Sequence, residues 1–353
     1  MRIFVTIAVA LLAFVSLYSA EQEDDFELLM GKETPHWRHL HQEIDVALLK
    51  NFHALYLQNK NLQFQVNVAE KIPKVIHIIW LGPRPFPAKS VENVRSWIAK
   101  NPGWVVKFWT DRDRDLPCHG LQKVFVRDFK FQKLEKFFYE SENWGEKSDL
   151  LRYEILLREG GIYVDHDAVC IKSFEGLCRG YDFFAGLEPP HEAFAGRNIT
   201  CANGLIGIRP HHPVMSKVID LVVARWDALG RQFRGRDDYS KVEVVMRRTY
   251  IPFTEVLQET LGLDGNKDIV FPAAYFMAKS GIPSIYAKQL YETLWDESRH
   301  RKTEFEKSAE KSFSRLEQKS ENILYFLLGL TFLNSAIFAL LFSSSKKSKQ
   351  GNL

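Results

Sequence analysis

The chain has 353 residues, 46% of them hydrophobic and 26% charged, with a formal net charge of +3. That apolar content with so little net charge excludes a disordered chain, and four cysteines in this length exclude a miniprotein held by disulfides. A balance of 47 basic to 44 acidic residues leaves no basic footprint for nucleic acid.

Residues 1–20 open on Met1-Arg2, run apolar from Ile3 to Leu17 and end in Tyr18-Ser19-Ala20, the pattern of a signal peptide. Bulky Tyr18 three places before the cut also leaves an uncleaved signal anchor open. Residues 21–70 read as a polar, helical, solvated stem. His36, His39 and His41 cluster there without a partner at metal-ligand spacing. The pattern changes at Lys71, where a globular domain over 71–295 begins. Residues 75–81 form a short β-branched apolar run, as a buried parallel strand does. Val91, Val94 and Ile98 lie on one stripe of a helix over 90–100, and Asn101-Pro102-Gly103 breaks it before a strand over 104–109. Helices are predicted over 133–140 and 146–159, the second closed by Gly160-Gly161, with a strand over 162–164 after it. Apolar runs at 183–187 and 205–208 and helices over 214–229 and 239–247 extend an α/β layered domain with a mainly parallel sheet.

Residues 296–321 are dense in Lys, Arg and Glu and read as a charged stalk. A transmembrane helix is expected over 322–343, built on the uncharged run 323–342, long enough to cross a hydrocarbon core of about 30 Å. Lys346, Lys347 and Lys349 follow in a basic tail over 344–353, which marks the cytoplasmic side. The globular domain is then expected on the lumenal or extracytoplasmic face of a membrane, with one span, or two if the N-terminal segment is retained. Asn198-Ile199-Thr200 is a glycosylation acceptor triplet, and Cys170, Cys178 and Cys201 could pair in such a compartment.

Asp165 and Asp167 flank His166 just past the strand over 162–164. Ligands of open α/β sheets gather at strand carboxyl ends, and two carboxylates there suit a hard divalent cation, Mg²⁺ or Mn²⁺, with a diphosphate. Asp111-Arg112-Asp113-Arg114-Asp115 repeats the same spacing, so the triplet by itself is weak evidence. Upstream, Asp149 and Arg152 share one face of a helix whose Leu151 and Ile155 turn to the core. Such a pair can bind sugar hydroxyls, and the guanidinium fork also suits phosphate; it can equally serve to fix the helix.

Ile72-Pro73-Lys74-Val75-Ile76-His77-Ile78-Ile79-Trp80, then Trp97, Pro102-Gly103-Trp104 and Trp109-Thr110-Asp111, resembles the start of the DXD-containing glycosyltransferase family. That family includes fungal α-1,6-mannosyltransferases and mannosylinositol phosphorylceramide synthases, with the large bacterial glucosylating toxins as distant relatives. Lys147-Ser148-Asp149-Leu150-Leu151-Arg152-Tyr153 and Gly160-Gly161-Ile162-Tyr163-Val164-Asp165-His166-Asp167 resemble its central signature. The resemblance covers 71–295. It implies a GT-A, Rossmann-like fold and retaining transfer of a hexose (mannose, glucose or galactose) from a UDP- or GDP-sugar to a lipid or glycan acceptor. It implies that Trp80 stacks on the base, that Asp149 and Arg152 bind the donor sugar, and that Asp165 holds ribose or sugar hydroxyls near the metal. Asp167 is then the firmer metal ligand, Asn203 lies at the reaction centre, Thr293 completes the metal shell, and Trp295 closes over the diphosphate. Gln289 stands where relatives carry a His. A catalytically inactive glycan- or nucleotide-binding relative is the alternative. A metal-dependent phosphodiesterase would need more ligands than His211-His212 supply.

Overall fold

Seven strands form one sheet in the order β3-β2-β1-β4-β7-β6-β8. They are β1 (Val75–Ile79), β2 (Val105–Thr110), β3 (Leu121–Phe125), β4 (Gly161–Val164), β6 (Phe183–Leu187), β7 (Cys201–Ile208) and β8 (Asp268–Phe271). A second, antiparallel pair joins β5 (Ala168–Cys170) to β9 (Ala287–Gln289). The computed structural model describes residues 26–66, 68–233 and 238–292. The signal segment, Thr293, Trp295, the stalk, the apolar C-terminal run and the basic tail lie outside the described residues. Among the described residues no helix is long and apolar enough to cross a membrane.

Strands β1 to β4 run parallel, and so do β6 and β8, while β7 is antiparallel to both its neighbours. The expected mainly parallel sheet is therefore present with one reversed strand. The reason is local: β6 and β7 are joined by residues 188–200 without a crossover helix, and a parallel return needs one. All the parallel strands thus point their carboxyl ends to one edge, and β7 begins there.

Beside a single turn at Phe26–Leu29, the α-helices of the described residues are α1 (Glu43–Asn59), α2 (Val91–Lys100), α3 (Glu135–Glu140), α4 (Trp144–Glu159), α5 (Glu175–Gly180), α6 (Pro213–Gln232), α7 (Asp238–Val245) and α8 (Ile251–Thr260). Helix α4 starts where Asn143 accepts from the Glu146 backbone N–H, an N-cap that satisfies one orphan donor. Its middle is buried on every side, from Leu150 to Leu157. Gly160 and Gly161 end it at φ 63° and 93°, and a Cβ on Gly161 would stand 2.6 Å from the Val75 carbonyl oxygen, so only glycine turns the chain here into β4.

One expectation is corrected, and two readings left open are resolved. Helix α1 is not a solvated stem: Leu48, Leu49, Phe52 and Tyr56 are buried, Asn59 Nδ2 donates to the Asp268 carbonyl at 2.8 Å, and the Tyr56 and Tyr275 hydroxyls meet at 3.2 Å. The spacing of those apolar residues is the core stripe of an amphipathic helix, here laid against β8. The cysteines do not pair; Cys170, Cys178 and Cys201 are buried free thiols. Asn198 is fully buried with its Nδ2 donating to the His191 carbonyl at 2.9 Å, so the acceptor triplet offers no accessible amide in the folded protein.

Candidate active site

The turn after β4 carries Asp165, His166 and Asp167 at the carboxyl edge of the sheet. Helix α2 and its N-cap residue Ser90 brace it. Asn93 Nδ2 donates to the His166 carbonyl at 3.1 Å, the Ser90 hydroxyl meets His166 Nδ1 at 2.9 Å, and Trp97 Nε1 donates to the Ala168 carbonyl at 2.8 Å. A turn tied to a helix at three points loses little entropy when a ligand fixes it further.

Arg152 of α4 is the hub. Its Nη1 donates to the Asn203 carbonyl at 2.7 Å. Its Nη2 lies 3.0 Å from Asp149 Oδ1 and 3.3 Å from Asp165 Oδ1. The guanidinium carbon sits 4.0 Å over the Tyr163 ring, a cation–π contact in a nearly water-free place. Burial opposes its charge, but Tyr163, Asp149 and Asp165 outweigh that and hold its pKa above the ordinary arginine value. Asn203 Nδ2 donates to Asp149 Oδ1 at 3.2 Å and to the Tyr153 hydroxyl at 2.9 Å. Four of the residues singled out in the sequence, Asp149, Arg152, Asp165 and Asn203, therefore form one hydrogen-bonded cluster.

The rest of the cluster was missed. The Tyr163 hydroxyl donates to Asp165 Oδ1 at 2.6 Å. Period-two alternation along β4 puts Tyr163 and Asp165 on one side of the strand, and that signal was available. Tyr153 follows Asp149 by one helical turn and was equally legible. Thr249, whose hydroxyl lies 2.6 Å from Asp149 Oδ2, was not. It belongs to a π-helical turn, Met246–Tyr250, between α7 and α8. Burial raises the pKa of Asp149, against the opposing pull of Arg152 and the Thr249 hydroxyl. Gly204 is required by close approach: a Cβ there would fall 2.5 Å from Asp165 Oδ2.

Asp167, two residues after Asp165, is itself buried. Gln289 Nε2 donates to its Oδ1 at 2.8 Å, and the Glu292 backbone N–H donates to its Oδ2 at 2.6 Å. Burial first, and then the Asp165 charge, push its pKa to about 7. Gln289 thus has a definite place, tying β9 to the turn after β4. Trp80 reaches the same turn from β1, with its indole edge-on to the His166 ring at 5.0 Å and its Nε1 donating to the Arg84 carbonyl at 2.9 Å. Asp111 is taken up by Arg114 and Arg112, and Asp113 by Lys123, so the first two carboxylates of that acidic run are satisfied by their neighbours. His212 caps α6 and meets Asp268 Oδ1 at 3.1 Å, a buried structural role. Among the described residues no group of three or more His, Cys, Asp or Glu is arranged to hold a metal, the histidine cluster at 36–41 included.

Fold and site together define an α/β domain with its polar, ligand-facing residues at the carboxyl edge of a largely parallel sheet. Residues 87–184 match the family described as a glycosyltransferase sugar-binding region containing the DXD motif, a glycosyltransferase domain. It is 29% identical over 227 residues to the "Subversion of eukaryotic traffic protein A" of Legionella pneumophila, covering 59% of this chain and 32% of that protein. It is 32% identical over 148 residues to the "Uncharacterized glycosyltransferase L373" of Acanthamoeba polyphaga mimivirus, covering 42% and 54%. It is 26% identical over 160 residues to "Inositol phosphoceramide mannosyltransferase 3" of Schizosaccharomyces pombe, covering 45% and 39%. The chain spans between about a third and about half the length of these relatives.

Proposed function

We propose that this protein is a membrane-anchored, metal-dependent, retaining glycosyltransferase of GT-A architecture. It would move a hexose (mannose, glucose or galactose) from a UDP- or GDP-sugar to a lipid or glycan acceptor on the lumenal or extracytoplasmic side. The observation that carries the reading is the clamp of Arg152 between Asp149, Asp165 and the Asn203 carbonyl, with Asp167 two residues after Asp165.

The residues present fit a hard divalent cation. Asp165 and Asp167 are oxygen donors, and Gln289 Oε1 and Glu292 Oε2, on the two residues that bond Asp167, are buried without a hydrogen-bond partner among the described residues. A cation that keeps waters and takes substrate phosphate oxygens needs few protein ligands. Asp165 and Asp167 would hold it, Thr293 would complete the shell, and it would neutralise charge growing on the departing diphosphate. Trp80 offers an aromatic surface for the base. Asp149 and Asn203 bind and orient the donor sugar, and Arg152 stabilises the same leaving charge through its planar donors. The acceptor hydroxyl attacks the anomeric carbon from the face that the diphosphate leaves. The carbon–oxygen bond to the diphosphate breaks, the new glycosidic bond forms, and the hydroxyl proton passes to the departing phosphate oxygen, so no enzyme base is required.

The test is the anomeric configuration of the product sugar by NMR. A product with the donor's configuration and no covalent adduct supports the reading; inversion, or a sugar trapped on Asp149 or on Glu188, the residue that follows β6, overturns the front-face step. One observation favours a second reading, a catalytically inactive membrane protein that binds a glycan or nucleotide: both Asp167 oxygens already accept protein N–H groups. Nucleotide binding without nucleotide release would establish it.

A further inference from the structure

Three departures from regular backbone geometry converge on one carboxylate outside the donor cluster. The β6–β7 register shifts between Ala185 and Gly186, just before Glu188 follows the end of β6. The π-helical turn Met246–Tyr250 presents the Tyr250 hydroxyl, which donates to Glu188 Oε1 at 2.6 Å. Tyr291 is held at φ 58°, and its ring lies 4.4 Å from Lys279 Nζ, which donates to Glu188 Oε2 at 3.1 Å. Bulges re-aim side chains beside active sites, π-turns recur at functional sites, and a bulky residue in the left-handed region stores strain. Nothing in sheet packing requires all three at one carboxylate.

The place is right for a second substrate. Tyr250 is adjacent to Thr249, which bonds Asp149, and the Glu188 N–H donates to the carbonyl of Thr200, three residues before Asn203 along the β7 chain. Three residues of strand span roughly 10 Å, the scale of a donor sugar and the acceptor ring that meets it. Glu188 and Lys279 keep 18% and 24% of their side-chain surface exposed, so the pair faces an opening and not the core. Burial would raise the Glu188 pKa, but Lys279, His191 and Tyr250 outweigh it and hold the carboxylate ionised. With both oxygens engaged, Glu188 is placed to accept hydrogen bonds, not to attack carbon.

We propose that Glu188, Lys279, Tyr250 and Tyr291 form an acceptor subsite for a ring bearing vicinal hydroxyls. The carboxylate and ammonium divide the hydroxyls between acceptor and donor, and the tyrosine ring offers a flat face to the ring's C–H surface. The subsite rests on the glycosyltransferase reading above. The chemistry is shared by a glycan end and an inositol head group.

The test uses the full chain in detergent. Nucleotide release to water and sugar transfer are measured with the active donor for wild type, Glu188→Gln and Lys279→Met. Methyl α-mannoside represents a glycan end and myo-inositol a head group. Binding of both polyols is read separately by saturation-transfer NMR. We expect wild type to bind one of them, and the ratio of transfer to release to fall by about 10- to 100-fold in Glu188→Gln, mainly through acceptor KM. Lys279→Met should shift in the same direction, and Glu188→Asp should recover part of the loss. Parallel loss of release and transfer, an unchanged ratio, or polyol binding that is absent in wild type or equal in Glu188→Gln would overturn the subsite. Polyol binding that depends on Glu188, with no release from any donor, would instead overturn the glycosyltransfer reading.

Discussion

Arg152 determines how the site is wired. Its two terminal nitrogens serve an acceptor on α4, one on the turn after β4 and one on β7, so a single planar group sets three elements in register. Lysine offers a point charge without that fork. Arg152→Lys is therefore expected to lower nucleotide release on the order of 100-fold, the usual cost of one lost transition-state donor, in an assay of purified protein with each donor. A change below about threefold would show that the guanidinium is structural. Asp149, Arg152, Asp165 and Asn203 were legible because spacing on one helix and one strand end reports proximity. Thr249 was not, because it lies 100 residues from the Asp149 it touches and no local period links them.

At the scale of elements, β1, β2 and β4 are knit by His77. Trp109 Nε1 donates to its Nδ1 at 3.1 Å, so its Nε2 carries the proton given to the Gly160 carbonyl at 2.9 Å. Burial lowers the His77 pKa from 6.5 to about 4. Between those values the unfolded chain binds the proton and the folded one does not, so stability falls as pH drops from 6.5 towards 4, by roughly 3 kcal/mol in all. Denaturant unfolding across that range should show this slope, and His77→Gln should flatten it; an unchanged slope contradicts the assignment. The π-turn is open to an equally direct test. Deleting Met246 restores α-helical register and re-aims Thr249 and Tyr250, with an expected loss of about 100-fold in transfer while the far-ultraviolet dichroism is retained. Full activity in the deletion would make the π-turn incidental. Strands with continuous apolar runs were readable, whereas half-buried β3 and the β5–β9 pair were not. Partners 121 residues apart along the chain, Ala168 and Gln289, leave no mark in local periodicity.

For the molecule as a whole, helix α1 changes what counts as the domain. Leu48, Leu49, Phe52 and Tyr56 each contribute roughly 1.5–3 kcal/mol by burial against β8 and its neighbours, more than a marginally stable domain can lose. A chain starting at Lys71, the boundary that composition suggested, is expected to aggregate or to lose its cooperative thermal transition in calorimetry. A soluble, cooperatively folding product would show that α1 is accessory. The composition shift at Lys71 was real, but it marked the start of the sheet and not the edge of the core, because the apolar stripe of α1 is interleaved with polar residues.

Donor chemistry at the carboxyl edge is best tested by nucleotide release from a panel of UDP- and GDP-hexoses, using the full chain in detergent with and without Mn²⁺, beside Asp167→Ala. Release from one donor that needs the cation and disappears in Asp167→Ala is the predicted result. Release that is indifferent to both the cation and Asp167, or no release from any donor with nucleotide still bound, would contradict it.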